Sequence, residues 1–340
     1  MNIHDLIPGL EDKDLEANIK EKYETDFNAK NPLTTITIEG TAYELFTPQY
    51  NNLMQIITET NTPLEEIKKY KPKYFEKYFG LTIENNQITK LQIQQYGLTK
   101  IPYLETLTTL QTLNLGNNPI KEIKGLDKLT TLQTLELWTN QIKEITGLDK
   151  LTNLQELHLG DNQIKEITGL DKLTTLQELH LGNNQIKEIT GLDKLTKLQK
   201  LYLGENKIEK ITGLDKLTNL QTLYLGNNQI KEITGLEQNK QLQELQLSYN
   251  QIKEITGLDK LTTLQTLELI DNQIKEITGL DKLTNLQTLE LIDNQIKEIK
   301  GLDKLTNLQK LNLAYNQIIN SDEKKKAISE LKQRIKRIII

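Results

Sequence analysis

The chain has 340 residues, of which 26% are charged and 36% hydrophobic, and its formal net charge is −5 at pH 7. It contains no cysteine, which excludes disulfide bonds and thiolate metal sites. The first residues show no basic segment followed by an apolar one, and no run reaches the roughly 18 apolar residues of a membrane span. We therefore expect a cytoplasmic protein without a membrane span, and export by a signal-free route stays open.

The charge is unevenly distributed. Residues 1–84 hold 9 Lys or Arg against 15 Asp or Glu, whereas residues 321–340 hold 7 against 3. Binding to nucleic acid requires a continuous basic surface, so we expect none. The run Lys68–Phe79 alternates lysines with aromatics, as single-strand binders do. Because it lies in an acidic region, we interpret it as a capping segment whose rings pack inward and whose lysine stems reach outward.

Residues 1–84 do not repeat and predict a small α+β domain. Apolar residues four apart indicate a helix over Glu11–Glu24, and alternation indicates a hairpin over Leu33–Phe46. Helical spacing returns over Pro48–Glu59. A capping-box pattern at Thr62 with proline next to it predicts another helix, which kinks or stops near Pro72 and ends by Gly80.

The remainder is organised around a repeat of 22 residues. The segment Leu129–Lys150 returns almost unchanged as Leu151–Lys172, and the same shift holds from Leu107 to Asn316. Seven positions in each unit are apolar, with almost no exceptions. A fixed period of this length indicates stacked supersecondary units, and a single unit cannot offset its own ordering entropy.

Three features of each unit predict local structure. The L-x-L at positions seven and nine has the alternation of a short strand with one buried face. A glycine at position nineteen indicates a tight corner, where a side chain would obstruct the chain. The asparagine at position twelve can donate and accept, so we predict that it bridges the turn backbones of successive units.

These motifs resemble the 22-residue leucine-rich repeat found in bacterial internalins and in the nuclear regulatory subunit of protein phosphatase 1. The resemblance covers about Asn85 to Asn316. It implies an α/β solenoid: a right-handed array with a parallel concave β-sheet that binds another macromolecule. Two units deviate, because Tyr96 replaces the asparagine of the first and Asn239 replaces the opening leucine of another. We interpret these as a terminal unit and a local soft spot.

Residues 320–340 predict a C-terminal cap helix. Asp322 and Glu323 favour a helix N-terminus, and Leu331, Ile335 and Ile338 follow at helical steps. A basic amphipathic helix lying on a membrane surface is the alternative. The predicted domains are thus an N-terminal cap over 1–84, a solenoid of about 11 repeats over 85–319, and the cap helix over 320–340.

Partner-binding residues are predicted on the concave face, where side chains vary while the scaffold positions do not. The first patch holds large amphipathic rings suited to an interface, and the second pairs acidic groups with isoleucines suited to a basic partner. Neutral drift in duplicated repeats is the alternative for both. The predicted residues are Trp138, His158, His180, Tyr202 and Tyr224 in the first patch, and Glu268, Ile270, Asp271, Glu290, Ile292 and Asp293 in the second.

No catalytic, cofactor or metal site is predicted. His158 and His180, with Glu156 and Glu178 nearby, could chelate a metal ion, but an open sheet fixes no third or fourth ligand. The sequence has no nucleotide-binding or metalloprotease motif, and an even sheet supplies no water-excluding pocket.

The sequence therefore predicts a monomeric, non-enzymatic scaffold that binds a protein partner on its concave face. Two alternatives stay open. One is an exported internalin-like adhesin or effector, and the other is a regulatory subunit of an enzyme such as a phosphatase.

Overall fold

A sheet of 14 strands runs through the molecule. The computed structural model describes residues 32–71, 77–320 and 322–340. In that part of the chain no helix is both long enough and apolar enough to cross a membrane. The helix predicted over Glu11–Glu24 lies outside the described residues, and the domain boundaries stay predictions.

The N-terminal hairpin and the helix after it are confirmed. Strands β1 (Leu33–Ile38) and β2 (Thr41–Phe46) pair antiparallel. Glu39 and Gly40 connect them with φ of 49° and 76°, the left-handed values that a tight hairpin turn requires. Helix α1 (Thr47–Thr60) follows at once and buries Leu53 and Ile56.

Helix α1 caps the N-terminal end of the solenoid. Its Asn52 Nδ2 donates to the carbonyl of Tyr103 at 2.5 Å, and its Gln49 Oε1 accepts from the Ile88 amide at 2.7 Å. These bonds join the helix to the first turns of the array. The predicted cap is confirmed, as solenoids require for an otherwise open apolar end.

The helix predicted from Thr62 is wrong. Only a 3₁₀ turn forms, Leu64–Glu66, and no side-chain cap bond precedes it. The Thr62 hydroxyl lies 2.6 Å from that of Thr60 and does not cap the turn. The chain then extends as β3 (Lys68–Lys69) and pairs with β4 at the edge of the sheet. This edge supplies hydrogen-bond partners for the backbone, so a helix is not needed to satisfy it.

The sheet begins with a second hairpin. Strands β4 (Tyr78–Glu84) and β5 (Gln87–Gln94) pair antiparallel, and β5 is the first strand to pair parallel with a repeat. Tyr78 and Phe79 are buried, as predicted for a capping segment. The unit that carries Tyr96 is therefore terminal, with its ring packed edge-on against Phe79.

Each following unit adds one three-residue parallel strand, in register with the last. Equivalent residues face one another across every step, so Leu113 lies opposite Leu135, and both are fully buried. The strands β6 to β15 are Thr112–Asn114, Thr134–Glu136, Glu156–His158, Glu178–His180, Lys200–Tyr202, Thr222–Tyr224, Glu244–Gln246, Thr266–Glu268, Thr288–Glu290 and Lys310–Asn312.

The predicted asparagine ladder is confirmed. The Asn140 Nδ2 donates to Leu115 of the preceding unit at 3.2 Å and to Leu137 of its own at 3.0 Å, while Oδ1 accepts from the Ile120 amide at 3.0 Å. The corner glycine is confirmed as well. Gly147 has a φ of 70°, and a Cβ there would lie 2.3 Å from the Ile123 carbonyl oxygen.

The deviating unit keeps its register. Asn239 is fully buried where other units have leucine, and its Nδ2 donates to the carbonyls of Leu214 and Leu217 at 3.0 and 2.9 Å. Its buried Oδ1 has no hydrogen-bond partner. The soft spot is therefore one unpaired acceptor in the core.

The C-terminal end is closed by a helix and a strand. Helix α2 (Asp322–Arg334) buries Leu331, and Arg334 donates to the carbonyls of Leu302 and Leu305 at 2.8 and 3.0 Å. The cap helix is confirmed, but it ends before Ile338. Strand β16 (Arg337–Ile339) instead pairs parallel with β15, because that edge has backbone groups without a further repeat to bond.

Candidate partner-binding face

The concave face is built from positions six, eight and ten of each unit. Side chains two apart on a strand point to the same side, and the leucines between them point into the core. Because the units stack in register, each outward residue lies beside its equivalents in the neighbouring units. The face is therefore a set of rows running across the strands.

Four rings form one such row. His158 and His180 stack with centroids 4.1 Å apart and planes at 15°, and His180 and Tyr202 stack at 4.0 Å and 17°. Tyr202 and Tyr224 continue the row at 4.9 Å and 24°. We call these four residues the ring row. The structure thus brings together four of the five residues predicted for the first patch.

The ring row is half-buried, although the sequence predicted solvent-facing histidines. Each ring covers a face of the next, so its edge is what remains exposed. Stacked pairs of this kind contribute about 0.5–1.5 kcal/mol beyond the area they bury. The rings therefore support one another without a partner.

An open groove of about 460 Å³ lies beside the ring row. Its floor is backbone, because Gly160, Gly182 and Gly204 occupy position ten of successive units. Asp161 and Glu205 are among the exposed residues that line it. The groove therefore combines an aromatic wall, a floor without side chains and an acidic rim.

Trp138, the fifth predicted residue, lines the groove without joining the ring row. Its indole lies over Gly116, where a Cβ would come within 2.5 Å of the ring, and its Nε1 donates to Glu136 Oε2 at 3.2 Å. Glu136 is buried and also accepts from Asn114 Nδ2 at 2.6 Å. Burial raises the pKa of Glu136 above its ordinary value despite both donors.

A polar cluster surrounds Glu178, which shares a strand with His180. Glu178 Oε1 lies 2.6 Å from His180 Nε2, and its Oε2 accepts from Lys200 Nζ at 3.0 Å. Burial raises the pKa of Glu178, but the hydrogen bonds from His180 and Lys200 outweigh that effect and lower it. The structure thus fixes a carboxylate against the histidine pair, whereas the sequence predicted that no third ligand was held there.

Burial is the main cause of the pKa shifts of the two histidines. It lowers the pKa of His158 from 6.5 to about 4, helped by the neighbouring His180. Burial also lowers the pKa of His180, and its bond to Glu178 only partly opposes this. Both rings are therefore neutral at pH 7.

The second predicted patch carries less net negative charge than its sequence indicates. Glu290 is buried, and its Oε1 lies 2.5 Å from Lys310 Nζ, so the lysine balances the charge of this carboxylate within the face. Burial raises the pKa of Glu268, and Glu290 adds to that shift. Ile270 and Ile292 are half-buried, while Asp271 and Asp293 are exposed.

Sequence reasoning placed Glu156 and Glu178, both at position six, near the histidines, but it missed the lysines at this position. Lys200 and Lys310 lie there, and both pair with carboxylates of the preceding unit. Side chains two apart on a strand point to the same face, so the sequence already places position six on the same face as position eight.

A solenoid of parallel strands, capped at both ends and open on one face, defines a repeat protein that offers an extended binding surface. The family model of the leucine-rich repeats, which describes two copies of the repeat, matches the chain five times, over residues 108–150, 152–194, 196–238, 240–282 and 284–332. The chain therefore belongs to the leucine-rich repeat family.

Two solved structures show the same fold. A crystal structure of an internalin from Listeria monocytogenes is 27% identical, with a TM-score of 0.61, over 86% of this chain and 88% of the internalin. A leucine-rich repeat protein of Leptospira interrogans is 28% identical, with a TM-score of 0.60, over 73% of this chain and 71% of that protein. No curated protein sequence matches the chain significantly.

Proposed function

We propose that this protein is a non-enzymatic scaffold that binds an extended segment of a protein partner in the groove beside the ring row. The observation that carries the proposal is the groove itself, with its stacked rings and glycine floor. Leucine-rich repeat proteins are in general interaction scaffolds, which supports the broader assignment.

The dimensions of the groove favour an extended segment. The ring row crosses four strands, and steps of about 4.8 Å make its length roughly 14 Å. That length corresponds to about four residues of extended chain. The ring edges and Trp138 would contribute apolar contact, and the glycine floor would let a backbone approach closely.

Charge narrows the partner further. The exposed carboxylates of Asp161 and Glu205 border the groove, and Lys200 is paired with Glu178. A segment with Lys or Arg beside its apolar anchors would complement this rim. We therefore expect the partner segment to be extended, partly apolar and basic.

Affinity capture with matched variants tests the proposal. The test variant is Trp138→Ala/Tyr202→Ala/Tyr224→Ala, and the control is Ile270→Ala/Ile292→Ala, which changes the second patch on the same face. We expect a partner that is retained by the wild type and by the control and lost by the triple variant, with unchanged circular dichroism. Equal recovery by all three proteins would refute the groove as the site.

Trp138 also provides a direct reading, because it is the only tryptophan in the chain. Titrating the captured partner should shift the emission of Trp138 if the groove is occupied. A partner that binds without changing this emission, and without protecting Trp138 from acrylamide, binds elsewhere.

One alternative has a specific observation in its favour. The similarity to an internalin extends over 86% of the chain, which supports an exported adhesin or effector with this same face. Detection of the native protein outside the producing cell would favour it, whereas retention in the cytoplasm would favour the intracellular scaffold. The enzyme-regulator alternative would require co-purification of an enzyme such as a phosphatase.

A further inference from the structure

We propose that His158, His180 and Glu178 bind a divalent transition-metal ion of the zinc class on the concave face. The potential ligand atoms of the three residues, one from each, all lie within 4.8 Å of one another. Among residues 32–71, 77–320 and 322–340, this is the one group of three such side chains so placed. The proposal does not rest on partner binding.

The donor set suits such an ion. Two imidazole nitrogens and a carboxylate oxygen are ligands that Zn²⁺, Ni²⁺ and Cu²⁺ prefer, whereas Mg²⁺ and Ca²⁺ take oxygen. Around one Zn²⁺, ligand atoms about 2.0–2.2 Å from the metal are roughly 3.3 Å apart. The His180–Glu178 pair, now 2.6 Å apart, would open slightly and His158 would tilt inward.

His158 provides a second, independent observation. Its Nε2 is buried and has no hydrogen-bond partner. Buried polar atoms of native proteins are nearly always paired, so one left bare requires an explanation. Stacking on His180 does not supply one, because it uses the ring face and leaves the nitrogen at the edge unused. A metal ion bound above the two strands would pair that nitrogen.

The surroundings hold the ligands in place. Strands β8 and β9 pair in register, which fixes the backbones of His158 and His180 side by side. Lys200 binds Oε2 of Glu178 and leaves Oε1 directed at His180. Such outer contacts orient metal ligands, and three protein ligands leave a fourth position for water.

The repeats themselves offer a variant that separates metal binding from stacking. Tyr202 and Tyr224 occupy the position of His180 in the next two units and stack in the same row. His180→Tyr and His158→Tyr therefore keep a ring in the row while removing a ligand nitrogen. A purely structural role of the histidines would survive both changes.

The experiment uses the full chain without an affinity tag, stripped with EDTA and titrated with ZnCl₂ by calorimetry. We expect one Zn²⁺ per chain, and a Kd raised at least 10-fold by His158→Tyr, His180→Tyr or Glu178→Gln. His4→Gln controls for the only other histidine, and Glu188→Gln for an exposed carboxylate outside the cluster. Both controls should bind as the wild type does.

Co²⁺ provides the second reading, since its visible absorption reports the ligand geometry. We expect the intense bands of a four-coordinate site, lost in His180→Tyr while circular dichroism is unchanged. Binding that persists in both tyrosine variants would overturn the proposal, as would a spectrum no stronger than that of hydrated Co²⁺. Wild-type protein that binds no Zn²⁺ would do the same.

Discussion

The asparagine ladder and the concave face are built by the same repeat, yet they use side chains in opposite ways. Every ladder asparagine bonds to backbone groups of its own unit and of a neighbour, as Asn206 does with Leu203, Leu181 and Ile186. The residues of the ring row instead contact one another and side chains of the same face, such as Glu178 and Glu244.

This difference explains which positions vary. A side chain that completes the backbone has one acceptable chemistry, because any substitute leaves buried amides or carbonyls unpaired. A side chain that meets only other side chains can be exchanged together with its neighbours. The ladder therefore stabilises the fold, and the face is free to be selected for binding.

Breaking the ladder should have the largest effect. Asn206→Ala removes the acceptor of the Ile186 amide and the donor to three carbonyls. We expect a loss of about 2–4 kcal/mol in the free energy of unfolding, measured in urea. The matched control is Asn219→Ala, because Asn219 is exposed and makes one bond, to the Thr196 carbonyl. A loss equal to that of the control would contradict the role of the ladder.

Acid should destabilise the protein through His158 of the ring row. The folded state lowers the pKa of His158 from 6.5 to about 4, so between these values the unfolded chain binds more protons. The contribution of neutral His158 to the free energy of unfolding is therefore fully present above pH 6.5. It is lost as the pH falls toward 4, by on the order of 2–3 kcal/mol. The difference between wild type and His158→Tyr, measured in EDTA, isolates this group from Glu136 and Glu178. Parallel pH profiles would show that His158 does not contribute.

Asn239 sharpens the comparison, because it is a buried asparagine outside the ladder. Its Oδ1 is unpaired, and the other units place leucine at this position. Asn239→Leu should raise the free energy of unfolding by about 1–2 kcal/mol, since it buries a leucine and removes the orphaned oxygen. Asn228→Leu, at a ladder position, should lower it. Two changes of the same sign would mean that the two kinds of asparagine are equivalent.

The smallest effect concerns the backbone of the turn after each strand. Thr139 adopts a φ of 51°, which β-branched residues disfavour, and the equivalent Asn227 adopts 55°. Thr139→Asn should stabilise the protein by about 0.5–1 kcal/mol, and Asn227→Thr should destabilise it by a similar amount. Chemical denaturation of this reciprocal pair measures both changes, and a gain from Asn227→Thr would reject the explanation.

Much of the fold could be predicted from the sequence, because the repeat states the same physical rule in each unit. The strands, the ladder and the corner glycines followed from residues such as Leu113, Asn140 and Gly147. The helix predicted from Thr62 does not form, because the chain after it pairs with a nearby sheet edge, and the Thr62 hydroxyl contacts that of Thr60 instead of capping a helix. Local propensity reports neither contact.

The candidate site could be predicted in position but not in detail. In-register stacking placed His158 beside His180 and Tyr202 beside Tyr224. The bare Nε2 of His158, the approach of Glu178 and the pairing of Glu290 with Lys310 depend on side-chain rotamers. A sequence pattern fixes the row a residue occupies, and packing decides which atoms meet.

Because every unit has the same length and every strand pairs in register, the side chains of the concave face lie in regular rows and columns. The position within the repeat sets one coordinate, and the number of the repeat sets the other. Excising residues 173–194 would leave the leucine spine continuous and shorten the wall by one strand, about 4.8 Å. It would also move Tyr202 next to His158. Duplication or loss of a whole unit can therefore change which side chains are neighbours on the surface in a single step. No intermediate sequence that fails to fold is needed.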